Sequence, residues 1–507
     1  MRTRALVAAL LAALLPSAGA CATAPCGTSP AAASAPATPS AQPSPVAPSP
    51  PPVNDLLVLL DRWYDNLVAM RHIPGMAIVV LRGPEVLWRR EAGFADLASG
   101  RAVSPSTRFY AGSVTKLVTA VAALQLRDAG RLELDAPVTR YLPDFTVAGG
   151  DASRVTVRML LTHRSGLRRE GADPYWMTYD FPSWRTLAAE LAAAPLDAPP
   201  GTRTAYSNVG MAVLGQVIAA AADEPYADYV ATHVLAPLGM TASGVGGGDA
   251  ALAGLATPYS REQRHLHGAR RALAAGDPRA LSPAFGLVTT AADLARFARF
   301  LLGADPGGSS VLAPDSVAEM MAPQDAGPVW TEARGLGFEL EKVKGYLRAS
   351  HNGWFSGHRA QIALVPELGL GAVVLANADD APVADVAGRV LDDLIDADTL
   401  ARLAPASALA PPDRDLAALV GLYGAAWLPE RDVVLLSDGL WQYTPTTSAS
   451  LPVRHGLARL LPMGGDRFHV GSADGQIIRF ARDADGCGAR IVLQDGAVWL
   501  ERRPARP

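Results

Sequence analysis

A hydroxyl and an amine stand one helical turn apart in the stretch Ala111-Gly112-Ser113-Val114-Thr115-Lys116. Behind it, Leu117, Val121 and Leu124 fall on the i, i+3/i+4 rows with no proline inside, which predicts a helix over 114–128 that Gly130 ends. Ser113 therefore sits at or just inside a helix N-terminus, where unpaired backbone N–H groups and the dipole favour negative charge. Lys116, three residues on, shares its face. A serine hydroxyl is a weak nucleophile until a base takes its proton, and a lysine is a base only where its surroundings lower its pKa. The plainer alternative is a capping serine followed by a surface lysine. Composition speaks against it: of 45 Lys and Arg only three are lysines, at 116, 342 and 344, and arginine cannot give up a proton near neutral pH. Ser-x-x-Lys still arises by chance too often to stand alone.

Two further stretches could supply partners. Pro200-Gly-Thr-Arg-Thr-Ala-Tyr206-Ser207-Asn208 is a polar loop running into an apolar helix. Tyr206 offers a phenol that can pass protons, and Asn208 an amide for Lys116 or for a substrate. A capping role for Asn208 is the structural alternative. His351-Asn352-Gly353 ends a strand, and Gly353 lets another chain approach the backbone closely. The N–H groups of Trp354 and Ser113 could then form an oxyanion hole. The alternative there is a strand-end turn with an exposed histidine.

These groups need a scaffold, and 507 residues suffice for two or three domains with a large core. With 49% apolar and 19% charged residues, the balance is that of a globular chain. A net charge of −4 gives no reason to propose nucleic acid as a partner. Cys21, Cys26 and Cys487 are too few for a zinc site or a disulfide framework, and His265-x-His267 reads as a solvated loop. Residues 1–20 carry a basic start, an apolar run too short to span a bilayer, and a small-x-small cleavage pattern at Ala18-Gly19-Ala20, so an export signal is expected. Cleavage before Cys21 with lipidation of that residue, or plain cleavage, would each fit. Residues 21–54 are rich in Pro, Ala and Ser, with ten prolines between 22 and 52, and read as a disordered tether. In polyproline form it could reach roughly 90 Å. The expected location is the periplasm or cell envelope, lipid-anchored or secreted.

Residues 55–70, 208–222, 225–236, 291–302 and 383–395 have helical spacing. Residues 76–82 and 85–94 read as a hairpin, and 348–351, 361–365 and 371–377 as strands of one antiparallel sheet. Strands thus flank a helical middle, an α+β layout rather than alternating βαβ. From 412 to 505, short strands at 432–437, 440–443, 476–480, 490–493 and 498–501 predict a small β domain, a barrel or sandwich.

Taken together, Ser-x-x-Lys, Tyr-x-Asn and a basic-x-Gly triplet form, in this order, a pattern close to that of β-lactamases and penicillin-binding proteins. Residues 55–400 resemble the serine β-lactamase and D,D-peptidase superfamily, in its class C-like branch with D-aminopeptidases and esterases. Thr107 to Lys116, Leu160-Leu-Thr-His163-Arg-Ser-Gly-Leu167, Pro200 to Asn208, Pro237-Leu-Gly-Met240 and Gly286-Leu-Val-Thr-Thr-Ala-Ala-Asp293 carry the likeness. Residues 412–505 are similar to the lipocalin-like domain often appended to such enzymes. The resemblance implies acyl transfer. Ser113 is the nucleophile, Lys116 and Tyr206 share the proton work, Ser113 and Trp354 hold the oxyanion, Asn208, His351 and Gly353 serve the substrate, and no metal or organic cofactor is required. His163 occupies a structural position of the family. His351 stands where lactamases usually carry lysine. With an ordinary pKa near ~6.5 it would attract a carboxylate only on acidification, which points to a peptidase or esterase rather than a lactamase or D,D-carboxypeptidase. Arg348 or Arg359 could restore the charge. A non-catalytic sensor of β-lactams or peptidoglycan would carry the same motifs, whereas an α/β-hydrolase would need Gly-x-Ser-x-Gly, which the chain lacks.

Overall fold

Side chains alternate across a β-strand, and here both sets are apolar because helices cover both faces of the main sheet. A computed structural model describes residues 53–503, apart from 173–174, 249–251, 263–268, 306, 327–329, 404–413, 426–427, 437–438, 444–457, 464, 471–475, 485–487 and 494–497. The leader, the tether as far as residue 52, His265, His267 and all three cysteines lie outside the described residues.

The main sheet is antiparallel and has eight strands: β1 (Gly75–Arg82), β2 (Glu85–Asp96), β3 (Arg101–Ala102), β7 (Glu332–Arg334), β8 (Glu339–Val343), β9 (Tyr346–Phe355), β10 (His358–Val365) and β11 (Leu370–Ala376). Their order is β3-β2-β1-β11-β10-β9-β8-β7, so the chain's first hairpin pairs with its late strands through β1 and β11. Along β1, Met76, Ile78 and Val80 join one core with α1 (Val53–Met70), through Leu56, Leu60, Trp63 and Leu67, and with α5 (Val383–Leu403), through Val386, Val390 and Leu394. Ala77, Val79 and Leu81 face the opposite core, built with α2 (Thr115–Asp128), α3 (Asn208–Ala222) and α4 (Ala291–Leu301). Helix α2 is buried on every side from Thr115 to Leu124, and only its last turn, with Arg127 and Asp128, reaches the surface. A second sheet of β4 (Phe109–Tyr110), β5 (Gly244–Val245) and β6 (Leu287–Thr289) leads the chain into the Ser113 stretch.

Strands β12 (Gly421–Ala425), β13 (Leu428–Leu436), β14 (Gly439–Tyr443), β15 (Ala458–Pro462), β16 (Arg467–Val470), β17 (Ile477–Arg482), β18 (Gly488–Leu493) and β19 (Val498–Arg502) close into an antiparallel barrel, with Tyr423 paired to Arg502. Its inner positions are filled by Tyr423, Leu440, Leu460, Phe468, Phe480 and Ile491, since eight strands leave an interior about wide enough for side chains. The sequence reading found five of these strands. It missed β12 and β15, which carry Gly421, Gly424 and Pro462, weak strand formers whose place is set by their neighbours, and β16, which spans only four residues.

The barrel is seated on α1. Leu59 packs with Val434 and Leu436, and Asp432 accepts hydrogen bonds from Arg62 Nη2 at 2.8 Å and Asn66 Nδ2 at 3.3 Å. Leu59 is fully buried, so Leu59→Ala should open a cavity at this seam and cost about 2–5 kcal/mol. The measurement is urea unfolding followed by circular dichroism, with an earlier first transition expected. An unchanged midpoint would show that the helix does not support the barrel.

Candidate active site

The helix predicted from 114 starts differently. Gly112–Val114 form a 3-10 turn and the α-helix begins at Thr115. The reason lies in the strand opposite. Gly112 has φ +51°, and a Cβ there would stand 2.3 Å from the nitrogen of Trp354. A Cβ on Gly353 would stand 1.9 Å from the carbonyl oxygen of Ala111. Two glycines thus let the main chain of β9 lie directly against the entry to α2, with no side chain between them.

Lys116 projects from the first turn of α2 into this contact and is fully buried. Its Nζ lies 3.1 Å from Ser113 Oγ, 2.9 Å from Asn208 Oδ1 and 2.8 Å from the carbonyl oxygen of Ala284. Burial drives its pKa well below the ordinary lysine value, opposed by the charge of Glu170 and aided by that of Arg169. The hydrogen-bond geometry makes the consequence specific. A neutral amine has two N–H groups and one lone pair. The two carbonyl oxygens can only accept and take both N–H groups, so the lone pair faces the Ser113 hydroxyl.

Tyr206 completes the cluster. Its ring lies 4.7 Å from Lys116 Nζ, and burial raises its pKa, opposed by its interaction with Ser113, so it stays protonated. His163 lies against Tyr206 with ring centroids 4.4 Å apart. Its Nδ1 accepts the Ser207 N–H at 3.2 Å, and burial keeps it uncharged. The helix from 208 is capped by Ser207, whose Oγ accepts the Gly210 N–H at 2.9 Å. The capping alternative for Asn208 is therefore overturned. Ser207 satisfies the helix end and leaves the Asn208 amide to Lys116 and Glu170.

Ser113, Tyr206, Asn208, His351, Asn352 and Trp354 line one cleft of about 590 Å³, with Arg169, Glu170, Trp176, Arg334, Glu339 and Arg359. Trp176 stacks on Trp354 at 5.0 Å and 23°. Of these last six residues the sequence reading had named only Arg359. They follow no local motif, and only the folding of three distant segments brings them together.

His351 departs from expectation in two respects. It is buried rather than exposed, and burial pushes its pKa down to about 3, so it does not titrate near pH 6.5. Its Nδ1 donates to the carbonyl of Asn352 at 2.6 Å, which leaves Nε2 as a lone-pair acceptor, buried and without a partner. Such an atom receives a donor and disfavours a carboxylate. Arg348 turns away from the cleft to Glu341 at 2.6 Å and Asp392 at 3.0 Å. Arg359 is the one of the two that lines the cleft, held by the carbonyl of Asp379 at 2.6 Å. Arg334 is paired with Glu339 at 3.5 Å, and Arg169 lies 3.6 Å from Glu170. Among the described residues, no group of three or more His, Cys, Asp or Glu side chains is arranged to hold a metal ion.

The β-lactamase family profile matches residues 60–397. The chain is 39% identical to esterase EstB of Burkholderia gladioli over 199 residues, which are 36% of this chain and 50% of that protein. It is 31% identical to penicillin-binding protein 4 of Amycolatopsis lactamdurans over 335 residues, 62% of this chain and 84% of the relative. A class C β-lactamase structure superposes with a TM-score of 0.57 at 22% identity, covering 70% of this chain and 97% of that one, a likeness of fold. With a Ser-x-x-Lys at a buried helix start, facing a Tyr-x-Asn loop and a glycine-bearing strand edge, the chain belongs to the β-lactamase family of serine hydrolases.

Proposed function

We propose that the protein cleaves ester or amide bonds through a covalent acyl-enzyme on Ser113, and prefers substrates that carry no free carboxylate beside His351. The observation that carries the reading is the placement of Lys116 Nζ 3.1 Å from Ser113 Oγ with two carbonyl acceptors for its N–H groups, which leaves a neutral amine its lone pair for the serine. In this mechanism Ser113 Oγ attacks the substrate carbonyl carbon and Lys116 takes its proton. The N–H groups of Ser113 and Trp354 hold the oxyanion, and Gly353 keeps that strand edge open to substrate. Tyr206, held protonated by burial, donates to the leaving group, which departs as the carbonyl reforms. A water molecule, deprotonated by the same pair, then attacks the acyl carbon and releases acid and free serine. Asn208 and the uncharged His351, which both line the cleft, orient an amide or hydroxyl of the substrate. The names of the relatives, an esterase and a penicillin-binding protein, are in keeping with this class of reaction. Arg359 supports a second reading, in which the carboxylate of a β-lactam or a peptide C-terminus docks on that guanidinium instead of on residue 351. We also propose export through residues 1–20, with lipid attachment at Cys21 as one mode of retention at the envelope.

Ser113→Ala should lose turnover and fluorophosphonate labelling by several orders of magnitude. Lys116→Arg should be nearly as inactive as Lys116→Ala, because arginine keeps the charge but not the base. Substantial activity in the arginine variant would make Lys116 a fixed charge only. Comparing kcat/KM for p-nitrophenyl butyrate, D-alanine p-nitroanilide and nitrocefin separates the substrate readings. Nitrocefin as the best substrate, lost in Arg359→Ala, would favour carboxylate docking. The pH profile follows from the signs of the shifts. Lys116 is lowered, so activity rises as it loses its proton and persists through neutral pH. Tyr206 is raised, so no alkaline loss should occur below about pH 10. With its pKa at about 3, His351 should add no inflection between roughly pH 5.5 and 8.5, and His351→Ala should keep the wild-type inflections.

A further inference from the structure

An asparagine amide offers an acceptor on one side and donors on the other, so its orientation decides what it does to a neighbour. Asn208 turns Oδ1 to Lys116 Nζ at 2.9 Å and Nδ2 to Glu170 Oε1 at 2.6 Å. Turned over, its N–H₂ would face Lys116 and donate to the lysine lone pair, the electron pair that must meet the Ser113 proton. The amine would then be left with N–H groups facing the serine, and no base. Something must exclude that state. An ionised carboxylate can only accept, so Glu170 admits the N–H₂ edge of Asn208 and rejects its oxygen. Glu170 lies on the cleft, mostly buried, and burial raises its carboxyl above the ordinary glutamate value, while the hydrogen bond from Asn208 and the charge of Arg169 favour the ionised form.

We infer that Glu170 is a positioning residue that acts through Asn208: its ionised carboxylate locks the amide so that the free electron pair of Lys116 points at Ser113. The inference rests on the acyl-enzyme reading above and adds to it the device that selects the working state of the base. Glu170 plays a second part through its charge. It faces Lys116 from the segment after His163, together with Arg169, while Glu339 and its partner Arg334 face the amine from β8 and β7. His163 and His351 are uncharged by burial and Tyr206 is protonated, so Glu170 and Glu339 are the anions that favour the protonated lysine. Removing one of them makes Lys116 easier to deprotonate. The carboxylate therefore improves the aim of the base while raising its proton affinity.

The two effects have opposite signs in one experiment. Glu170→Gln keeps the size of the side chain and the acceptor for Asn208 Nδ2, but adds a donor that tolerates the turned amide. Burst kinetics with p-nitrophenyl butyrate, followed over pH, should show an acylation plateau lower by about tenfold or more, a part of what a general base supplies. KM should change little, and the acid limb should move to lower pH. In an Asn208→Ala background the plateau loss on adding Glu170→Gln should vanish, because the lever is gone. A Glu170→Gln plateau equal to wild type, or a loss of the same size with and without Asn208, would overturn the inference. A thermal melt of each variant guards against misfolding, and Glu170→Ala gives a second substitution if the glutamine variant does not fold. Absence of acylation in the wild type would instead refute the acyl-enzyme reading, so the two failures are distinct.

Discussion

The burial of one lysine is the constraint on which the site depends. A charged ammonium withdrawn from water is strongly disfavoured, and the fold relieves this by letting Lys116 be neutral. A neutral amine at the start of α2 is useful only if its lone pair has a direction. The carbonyl of Ala284 and the amide of Asn208 supply that direction by occupying its two N–H groups. Several neighbouring features serve the same end. Tyr206 and His351 are likewise held uncharged, so the reacting centre is a set of neutral donors and acceptors, with charges at its rim.

The scaffold answers to this centre through main-chain contact. The C-terminal half of β9, which runs past its pairing with β8, meets the entry of α2 without side chains between them because residues 112 and 353 are glycines. The sheet can hold that stretch because both of its faces are covered, one by α1 and α5 and the other by α2 and α4. Helix α1 has a third neighbour in the barrel, joined through Leu59 and the Arg62–Asp432 pair. It thereby links the rear of the sheet to the barrel strands.

Much of the site was legible in the chain because its chemistry is local. Ser113 and Lys116 are related by one helical turn, Tyr206 and Asn208 by two residues, and His351, Gly353 and Trp354 by strand order. Spacing of this kind survives translation into structure, and with the resemblance it implied that these stretches share one site. The eight-stranded barrel was half visible, since five strands carry enough β-branched and aromatic residues to announce themselves. The others are extended by pairing rather than by composition.

By itself the sequence pointed to the family and the α+β layout, and offered a candidate nucleophile and a candidate base, because these rest on residue type and short spacing. The tertiary structure alone decided protonation and orientation. Nothing in the order His351-Asn352-Gly353 says that the imidazole is buried and pushed to about 3. Nothing in Arg168-Arg169-Glu170 says that the third residue turns an amide 38 positions away. Dielectric surroundings and amide direction belong to the packing of distant segments, and a pattern along the chain carries neither.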